Sequence, residues 1–148
     1  MSPVILLVED NPADAELVRL CLERFDVDVE LHEVSSGEQA LDFIERNGDY
    51  RAAPRPDLIL LDLNLPRVDG REVLRLVKSK PETRAIPVVV VTSSLAQRDL
   101  SGAYANHANA YVLKAVDFDE FRRSLRSMVD FWLVAVRLPD SSAVPLGV

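Results

Sequence analysis

Three carboxylates directly follow two apolar segments, and their types and positions make them the residues most suited to chemistry. Asp62 follows the run 58–61, and Glu9 and Asp10 follow the run 4–8. A strand that is apolar on both faces belongs in the middle of a parallel sheet, so the residue after it emerges at the carboxyl edge of the sheet. If the two strands are neighbours, the three acids repel one another unless a hard cation neutralises them. The pattern therefore predicts a magnesium site.

Each acid also has a simpler interpretation. Glu9 and Asp10 could serve only to cap the helix that follows, although Asn11 already supplies a cap. Asp62, taken alone, could be a turn residue before Pro66.

The elements that must position these acids alternate along the chain. Five apolar segments rich in β-branched residues alternate with five stretches of helical period, which predicts an α/β fold with a doubly wound parallel sheet. The predicted strands are 3–8, 28–34, 57–61, 86–91 and 109–113. Helix starts are predicted where capping residues occur, at Asn11 before Pro12, and at Ser36, Ser94 and Asp117.

Length and composition indicate one globular domain. The chain has 148 residues, of which 48% are hydrophobic, enough for a core of ordinary size. We predict a domain over 1–138 and a flexible C-terminal tail over 139–148, which holds two prolines and two serines and lacks a helical period. We therefore expect no output domain after the fifth helix.

Charge and cysteine content restrict the partners. The net charge of −7 and the pI of about 4.8 argue against nucleic acid as a partner, since binding there depends on releasing counterions from phosphates. The single cysteine excludes an internal disulfide, and no apolar run is long enough to span a membrane. We therefore expect a soluble cytoplasmic protein with no membrane partner.

Four short motifs occur in order at four predicted strand ends. They are Val8-Glu9-Asp10-Asn11, Leu61-Asp62-Leu63-Asn64-Leu65-Pro66, Val91-Thr92-Ser93 and Tyr111-Val112-Leu113-Lys114. Together they resemble the receiver domain of bacterial two-component response regulators, over about 4–138. The spacings agree as well, with 30 residues from Asp62 to Thr92 and 52 from Asp62 to Lys114. The resemblance implies a flavodoxin-like (βα)5 fold with strand order 2-1-3-4-5.

The resemblance also implies the chemistry of the site. Asp62 would be the phosphoacceptor, taking a phosphoryl group from a phosphohistidine of a sensor histidine kinase. Glu9, Asp10, Asp62 and the backbone carbonyl of Asn64 would hold Mg²⁺. The protein would then be a phosphoacceptor for signalling and not an enzyme acting on other substrates, with only self-catalysed phosphotransfer and autodephosphorylation.

Three further residues have roles implied by the family. The Thr92 hydroxyl would donate to the phosphoryl group, the Lys114 ammonium would pair with Asp62 and then with that group, and Tyr111 would turn inward as part of the switch. Each has an alternative: Thr92 as an ordinary strand residue, Lys114 as a lysine pointing to solvent, and Tyr111 as a half-buried strand aromatic.

Two segments narrow the resemblance. The runs 78–84 and 107–111 resemble stand-alone regulators that partner bacterial and cyanobacterial phytochromes. This implies a bacteriophytochrome as the kinase partner and phytochrome signalling as the pathway.

One departure from the family follows Lys114. The family usually has a proline there, with a cis bond that aims the lysine into the site, whereas this chain has Ala115. A cis bond before a non-proline residue costs about 2.5–4 kcal/mol, so we expect a trans bond. Because of this departure, one alternative stays open: a degenerate receiver that acts as an interaction module independent of phosphorylation.

A second alternative is a phosphohydrolase with an aspartate nucleophile. It would need another acid two residues after Asp62, where Asn64 stands. An amide cannot act as a general acid or base, so this alternative is disfavoured.

The last predicted helix carries more apolar surface than one sheet can bury. Its end, 131–136, is apolar on all sides. We predict a homodimer through the fourth helix, fifth strand and fifth helix, with Phe131, Trp132 and Val136 in the interface. The alternative is that the tail covers this helix end.

Overall fold

Five strands, each followed by a helix, make up the fold seen in the computed structural model, which describes residues 2–24, 28–114 and 117–139. The strands are β1 (Val4–Val8), β2 (Glu30–Val34), β3 (Leu58–Leu61), β4 (Val88–Thr92) and β5 (Ala110–Leu113). The helices are α1 (Pro12–Glu23), α2 (Gly37–Glu45), α3 (Gly70–Ser79), α4 (Gln97–Ala105) and α5 (Phe118–Asp130), with a 3-10 turn at Gly48–Tyr50 after α2 and a π-helical turn at Phe131–Ala135 after α5.

The strands form one parallel sheet in the order β2-β1-β3-β4-β5, which confirms the predicted flavodoxin-like topology. The register explains why the candidate residues meet. Val8 lies opposite Leu61, so the residues after β1 and β3 emerge side by side. Thr92 lies opposite Leu113, so Lys114 emerges beside the end of β4.

Two apolar layers cover the sheet, as expected when both faces carry helices. Every residue of the three central strands β1, β3 and β4 is buried. Alternate residues point to opposite faces: Leu6 and Ile59 pack in one core with α2 and α3, and Ile5 and Leu58 pack in the other with α1 and α5. The central strands are therefore held rigidly from both sides.

Three of the four predicted helix caps are present. The Asn11 side chain accepts from the backbone N–H of Ala13 at 2.9 Å, and the Ser36 hydroxyl accepts from the N–H of Gln39 at 3.2 Å. The Asp117 carboxylate accepts from the N–H of Asp119 at 2.9 Å. These bonds satisfy donors that a helix leaves unpaired at its first turn.

The predicted cap at Ser94 is wrong. α4 begins at Gln97, and its first flanking residue, Ala96, has no side chain that can cap. The Ser94 hydroxyl instead donates to Asp99 at 2.6 Å, because that carboxylate reaches back over the first turn of the helix. The loop before α4 is consequently held by a side-chain bond and not by a helix cap.

The end of α5 is apolar, as predicted, and incompletely covered by the described residues. Phe121, Leu125 and Val129 are buried against the sheet. Beyond them the π-helical turn leaves Phe131 48% and Val134 56% exposed. Of the other predicted interface residues, Trp132 and Val136 are half-buried.

Some predictions fall outside the described residues. The bond between Lys114 and Ala115 is one, and all of the tail except Pro139 is another. In the ranges that the structure does describe, no helix has the length and apolar character needed to cross a bilayer.

Candidate functional site

The carboxyl edge of the sheet holds the three acids singled out by the sequence, and the backbone fixes where they lie. The N–H of Glu9 donates to the carbonyl of Val34 at 3.1 Å, and the N–H of Asp62 donates to the carbonyl of Val8 at 3.0 Å. These bonds continue the parallel ladder one residue past β1 and β3. The two carboxylates are therefore carried by the most rigid part of the fold.

The side chains of Glu9, Asp10 and Asp62 converge. Each offers a carboxylate oxygen, and these oxygens lie within 4.8 Å of one another. Glu9 and Asp62 are buried, whereas Asp10 is exposed, so the group opens to solvent on one side. An all-oxygen set that leaves room for water fits a small hard cation such as Mg²⁺ or Mn²⁺.

Asn64, whose carbonyl is the fourth predicted metal ligand, is tied to the same group. Its backbone N–H donates to Asp62 Oδ1 at 3.1 Å. This bond orients the Asp62 carboxylate and fixes the start of the loop that follows it.

Lys114 brings a positive charge into contact with the acids. Its Nζ donates to Asp62 Oδ2 at 3.1 Å and also to a Glu9 carboxylate oxygen. The lysine side chain is only 12% exposed. The interpretation of Lys114 as a lysine pointing to solvent is therefore wrong, because carboxylates gathered at this edge hold its ammonium.

The crowding changes the proton affinity of Glu9. Burial is the largest cause that raises the pKa of Glu9 from its ordinary 4.5 to about 7, and the neighbouring Asp62 carboxylate adds to it against the opposing effect of Lys114. Burial alone would lower the pKa of Lys114, but its hydrogen bonds to carboxylates and the charge of Asp62 outweigh burial and raise it. The Lys114 ammonium is thus firmly charged, whereas in the absence of a metal cation Glu9 gains a proton as the pH falls through about 7.

Thr92 and Tyr111 share one neighbour, Ser94. Thr92 is completely buried, its carbonyl accepts from the N–H of Lys114 at 2.8 Å, and its hydroxyl accepts from the N–H of Ser94 at 3.3 Å. The half-buried Tyr111 donates its hydroxyl to the carbonyl of Ser94 at 3.1 Å. The two predicted switch residues are therefore connected through one residue of the loop between β4 and α4.

An ion-pair network that the sequence did not indicate holds the same loop. Arg71, in the first turn of α3, donates to Asp99 Oδ1 at 2.8 Å and to Asp69 at 3.0 Å. Asp99 in turn accepts from the Ser94 hydroxyl. These residues belong to different elements, so no periodicity or spacing in the sequence relates them.

Gly70 is a further residue whose role became apparent only in the structure. A Cβ at this position would lie 2.1 Å from the Asp62 carbonyl oxygen and 2.7 Å from Leu63 Cα. Only glycine lets the start of α3 approach the backbone of Asp62 this closely. In the sequence alone, the pair Asp69-Gly70 indicates only a turn.

Asp14 is a fourth carboxylate in contact with the site. Its Oδ2 accepts from Lys114 Nζ at 2.9 Å. The one signal in the sequence is its place: Asp14 falls in the first turn of the helix that follows Glu9 and Asp10, close to the same edge of the sheet.

The two segments 78–84 and 107–111 meet at the opposite edge of the sheet. Lys78 Nζ donates to the carbonyl of Ile86 at 2.7 Å and to Asn109 Oδ1 at 2.9 Å. The same Asn109 oxygen accepts from the N–H of Val88 at 2.9 Å. Both segments therefore join α3 to the amino ends of β4 and β5, away from the carboxylates.

Comparison with known proteins connects this geometry with a family. Residues 5–126 match the response regulator receiver domain. Response regulator Rcp1 of Synechocystis sp. is 43% identical over 136 residues, which cover 92% of this chain and 92% of Rcp1.

Solved structures agree. The crystal structure of the Mn²⁺-bound form of Rcp1 is similar with a TM-score of 0.89 and 43% identity, covering 93% of this chain and 99% of that one. The phosphorylated cyanobacterial phytochrome response regulator RcpA has a TM-score of 0.91 and 40% identity, covering 95% and 100%. The bacteriophytochrome response regulator RtBRR has a TM-score of 0.76 and 44% identity, covering 96% and 87%. With its family match, its identity to Rcp1 and its five-stranded parallel sheet, the chain belongs to the response regulator receiver family.

Proposed function

We propose that this protein is a single-domain response regulator that accepts a phosphoryl group on Asp62 from a sensor histidine kinase and signals by protein contact in the cytoplasm. One observation carries the proposal. The Asp62 carboxylate ends a central strand, shares a group of acids within 4.8 Å, and lies 3.1 Å from the Lys114 ammonium. A nucleophile, a place for a cation and a fixed positive charge are thus within reach of one another.

The proposed reaction is a phosphoryl transfer between two side chains. An Asp62 oxygen forms a bond to phosphorus while the bond between phosphorus and the kinase histidine nitrogen breaks, and that nitrogen keeps the electron pair. The product is an acyl phosphate on Asp62 and a histidine that is again free. Asp62 acts as a carboxylate, so the receiver need not remove a proton first.

Lys114 and the acids have separate parts in this transfer. Lys114 would pair with the phosphoryl oxygens as they arrive, since its Nζ already contacts Asp62. Glu9, Asp10 and Asp62 would hold Mg²⁺, together with the carbonyl of Asn64. When bound, the cation offsets the charge of the phosphoryl group and of the acids.

The proposed switch passes through Ser94. A phosphoryl group adds roughly two negative charges, which favours a state in which the Thr92 hydroxyl donates to it. Because Thr92 and Tyr111 both contact Ser94, a change at the hydroxyl is transmitted to the ring. Tyr111 would then turn inward and alter the surface formed by α4 and β5.

A phytochrome is the proposed type of kinase partner. The support comes from relatives: RcpA is a cyanobacterial phytochrome response regulator, and RtBRR is a bacteriophytochrome response regulator. Both cover most of this chain at 40% identity or more.

Incubation with acetyl phosphate and Mg²⁺, followed by intact mass measurement, tests the proposed function. We expect one phosphoryl adduct on the wild-type chain and none when EDTA removes the cation. A chain that stays unmodified in Mg²⁺ would contradict the proposal and favour a phosphorylation-independent interaction module instead. An adduct formed equally well in EDTA would contradict the magnesium site alone.

A homodimer through α4, β5 and α5 is proposed from the exposed apolar residues on these elements. Leu113 on β5 is 39% exposed, and Phe131 beyond α5 is 48% exposed. We expect sedimentation velocity to show a concentration-dependent dimer that Phe131→Glu shifts towards monomer. A wild-type monomer at every concentration would rule out this interface, including the predicted roles of Trp132 and Val136.

A further inference from the structure

The Lys114 ammonium donates hydrogen bonds to three carboxylates. A lysine ammonium has three N–H donors. In this structure Nζ contacts Glu9, Asp14 Oδ2 at 2.9 Å and Asp62 Oδ2 at 3.1 Å. Each of the three acids comes from a different segment, so the ammonium is held from three directions.

Asp14 differs from the other two partners of Lys114. Glu9 and Asp62 belong to the group of carboxylates that converges on a cation site, and Asp14 does not. Asp62 must also turn an oxygen towards the incoming phosphorus. Of the three contacts, that of Asp14 is therefore the one that neither the cation nor the phosphoryl group competes for.

The position of Asp14 is suited to holding the Lys114 ammonium in place. It lies in the first turn of α1, where its N–H donates to the Asn11 side chain at 3.2 Å. The start of this helix is held by a second bond to the same side chain, from Ala13 at 2.9 Å. Lys114, by contrast, has a flexible four-carbon side chain whose direction only its ammonium contacts can fix.

We propose that Asp14 is a positioning residue for phosphoryl transfer, which anchors the Lys114 ammonium so that its other N–H groups stay directed at Asp62 and the incoming phosphoryl oxygens. The proposal rests on the proposed function of Asp62. Asp14 touches neither the cation group nor the reacting atoms, and it acts through Lys114. Its loss should change the rate of phosphoryl uptake far more than the affinity for the cation.

The first test measures initial rates of phosphoryl uptake from acetyl phosphate at saturating Mg²⁺ by intact mass. We expect Asp14→Ala to slow uptake by about tenfold, the range found when a partner that orients a site residue is removed. Asp14→Asn keeps an acceptor oxygen and should fall between Asp14→Ala and wild type. Glu16→Gln is the matched control, because it removes a negative charge two residues along α1 from a side chain that pairs with Arg19, and it should leave the rate unchanged.

Metal affinity separates positioning from general damage to the fold. The dissociation constant for Mn²⁺ should change by less than about threefold in Asp14→Ala, because its carboxylate is not in the cation group. A loss of Mn²⁺ affinity as large as the loss of rate would overturn the proposal, since it would show that the whole site had been disturbed.

A double-mutant cycle with Lys114→Ala tests whether Asp14 acts through the lysine. We expect Asp14→Ala to add no further loss of rate once Lys114 is absent. A further tenfold loss in the double variant would overturn the proposal, as would equal rates for Asp14→Ala and a wild-type chain that does take up phosphoryl. If the wild-type chain forms no adduct, the proposed function itself fails, and this inference fails with it.

Discussion

Asp62→Asn is expected to eliminate phosphoryl uptake from acetyl phosphate, with no adduct detectable by intact mass. The amide has nearly the same shape, and its Oδ1 can still accept from the N–H of Asn64, which lies 3.1 Å from the carboxylate oxygen. It lacks the nucleophilic carboxylate oxygen on which the acyl phosphate must form. It also removes one of the three acids that converge on the cation site.

The matched control is Asp57→Asn. Asp57 immediately precedes β3, so it lies at the opposite end of the strand that Asp62 follows. Its carboxylate accepts from the N–H of Val4 at 2.8 Å, a bond that an asparagine can also make. We expect this variant to take up phosphoryl at the wild-type rate. An undiminished adduct on Asp62→Asn would show that another residue is the acceptor.

Cation binding is expected to weaken steeply below neutral pH because of Glu9. Its pKa is raised to about 7, mainly by burial, so the cation-free protein holds a proton there below that pH. A divalent cation must displace this proton, and one displaced proton means roughly a tenfold loss of affinity for each pH unit below 7. Isothermal titration calorimetry with Mg²⁺ between pH 5.5 and 8 measures the slope.

The same raised pKa determines the sign of the effect on folding. The pKa of Glu9 is higher in the folded chain than its ordinary value of 4.5, so the folded chain binds this proton more tightly than the unfolded chain does. Without a cation, protonation of Glu9 therefore stabilises the fold at low pH. That contribution is lost as the pH rises from about 4.5 through 7. Above about pH 7 the proton no longer competes, so Mg²⁺ should stabilise the folded protein most there. Glu9→Gln should flatten both dependences around pH 7. Unchanged Mg²⁺ affinity between pH 5.5 and 8 in the wild type would contradict this assignment.

The location of the acids could be predicted from the sequence because it follows from one property of parallel sheets. Apolar runs that bury both faces identify central strands, and residues after such strands share an edge whatever the details of packing. Glu9 and Asp62 lie close together because β1 and β3 are adjacent and pair with Val8 opposite Leu61. The predicted strand boundaries were within two residues of those in the structure.

The contacts around the loop before α4 could not be predicted in this way. Ser94 has the local pattern of a helix cap, yet a bond to Asp99 competes with capping and prevails. Arg71 reaches Asp99 from α3, a contact set only by how two helices pack. Asp14 lies in the first turn of the helix after Glu9 and Asp10, but its partner Lys114 is 100 residues away in the sequence.

Lys78, at the amino ends of β4 and β5, limits which parts of the molecule can rearrange when Asp62 is modified. Lys78 donates to the carbonyls of Arg84 and Ile86 and to the Asn109 side chain, so β4 and β5 are both held at their amino ends. The rearrangement proposed to follow phosphorylation should therefore involve the loop after Thr92 and the Tyr111 side chain, while the amino ends of β4 and β5 stay in place.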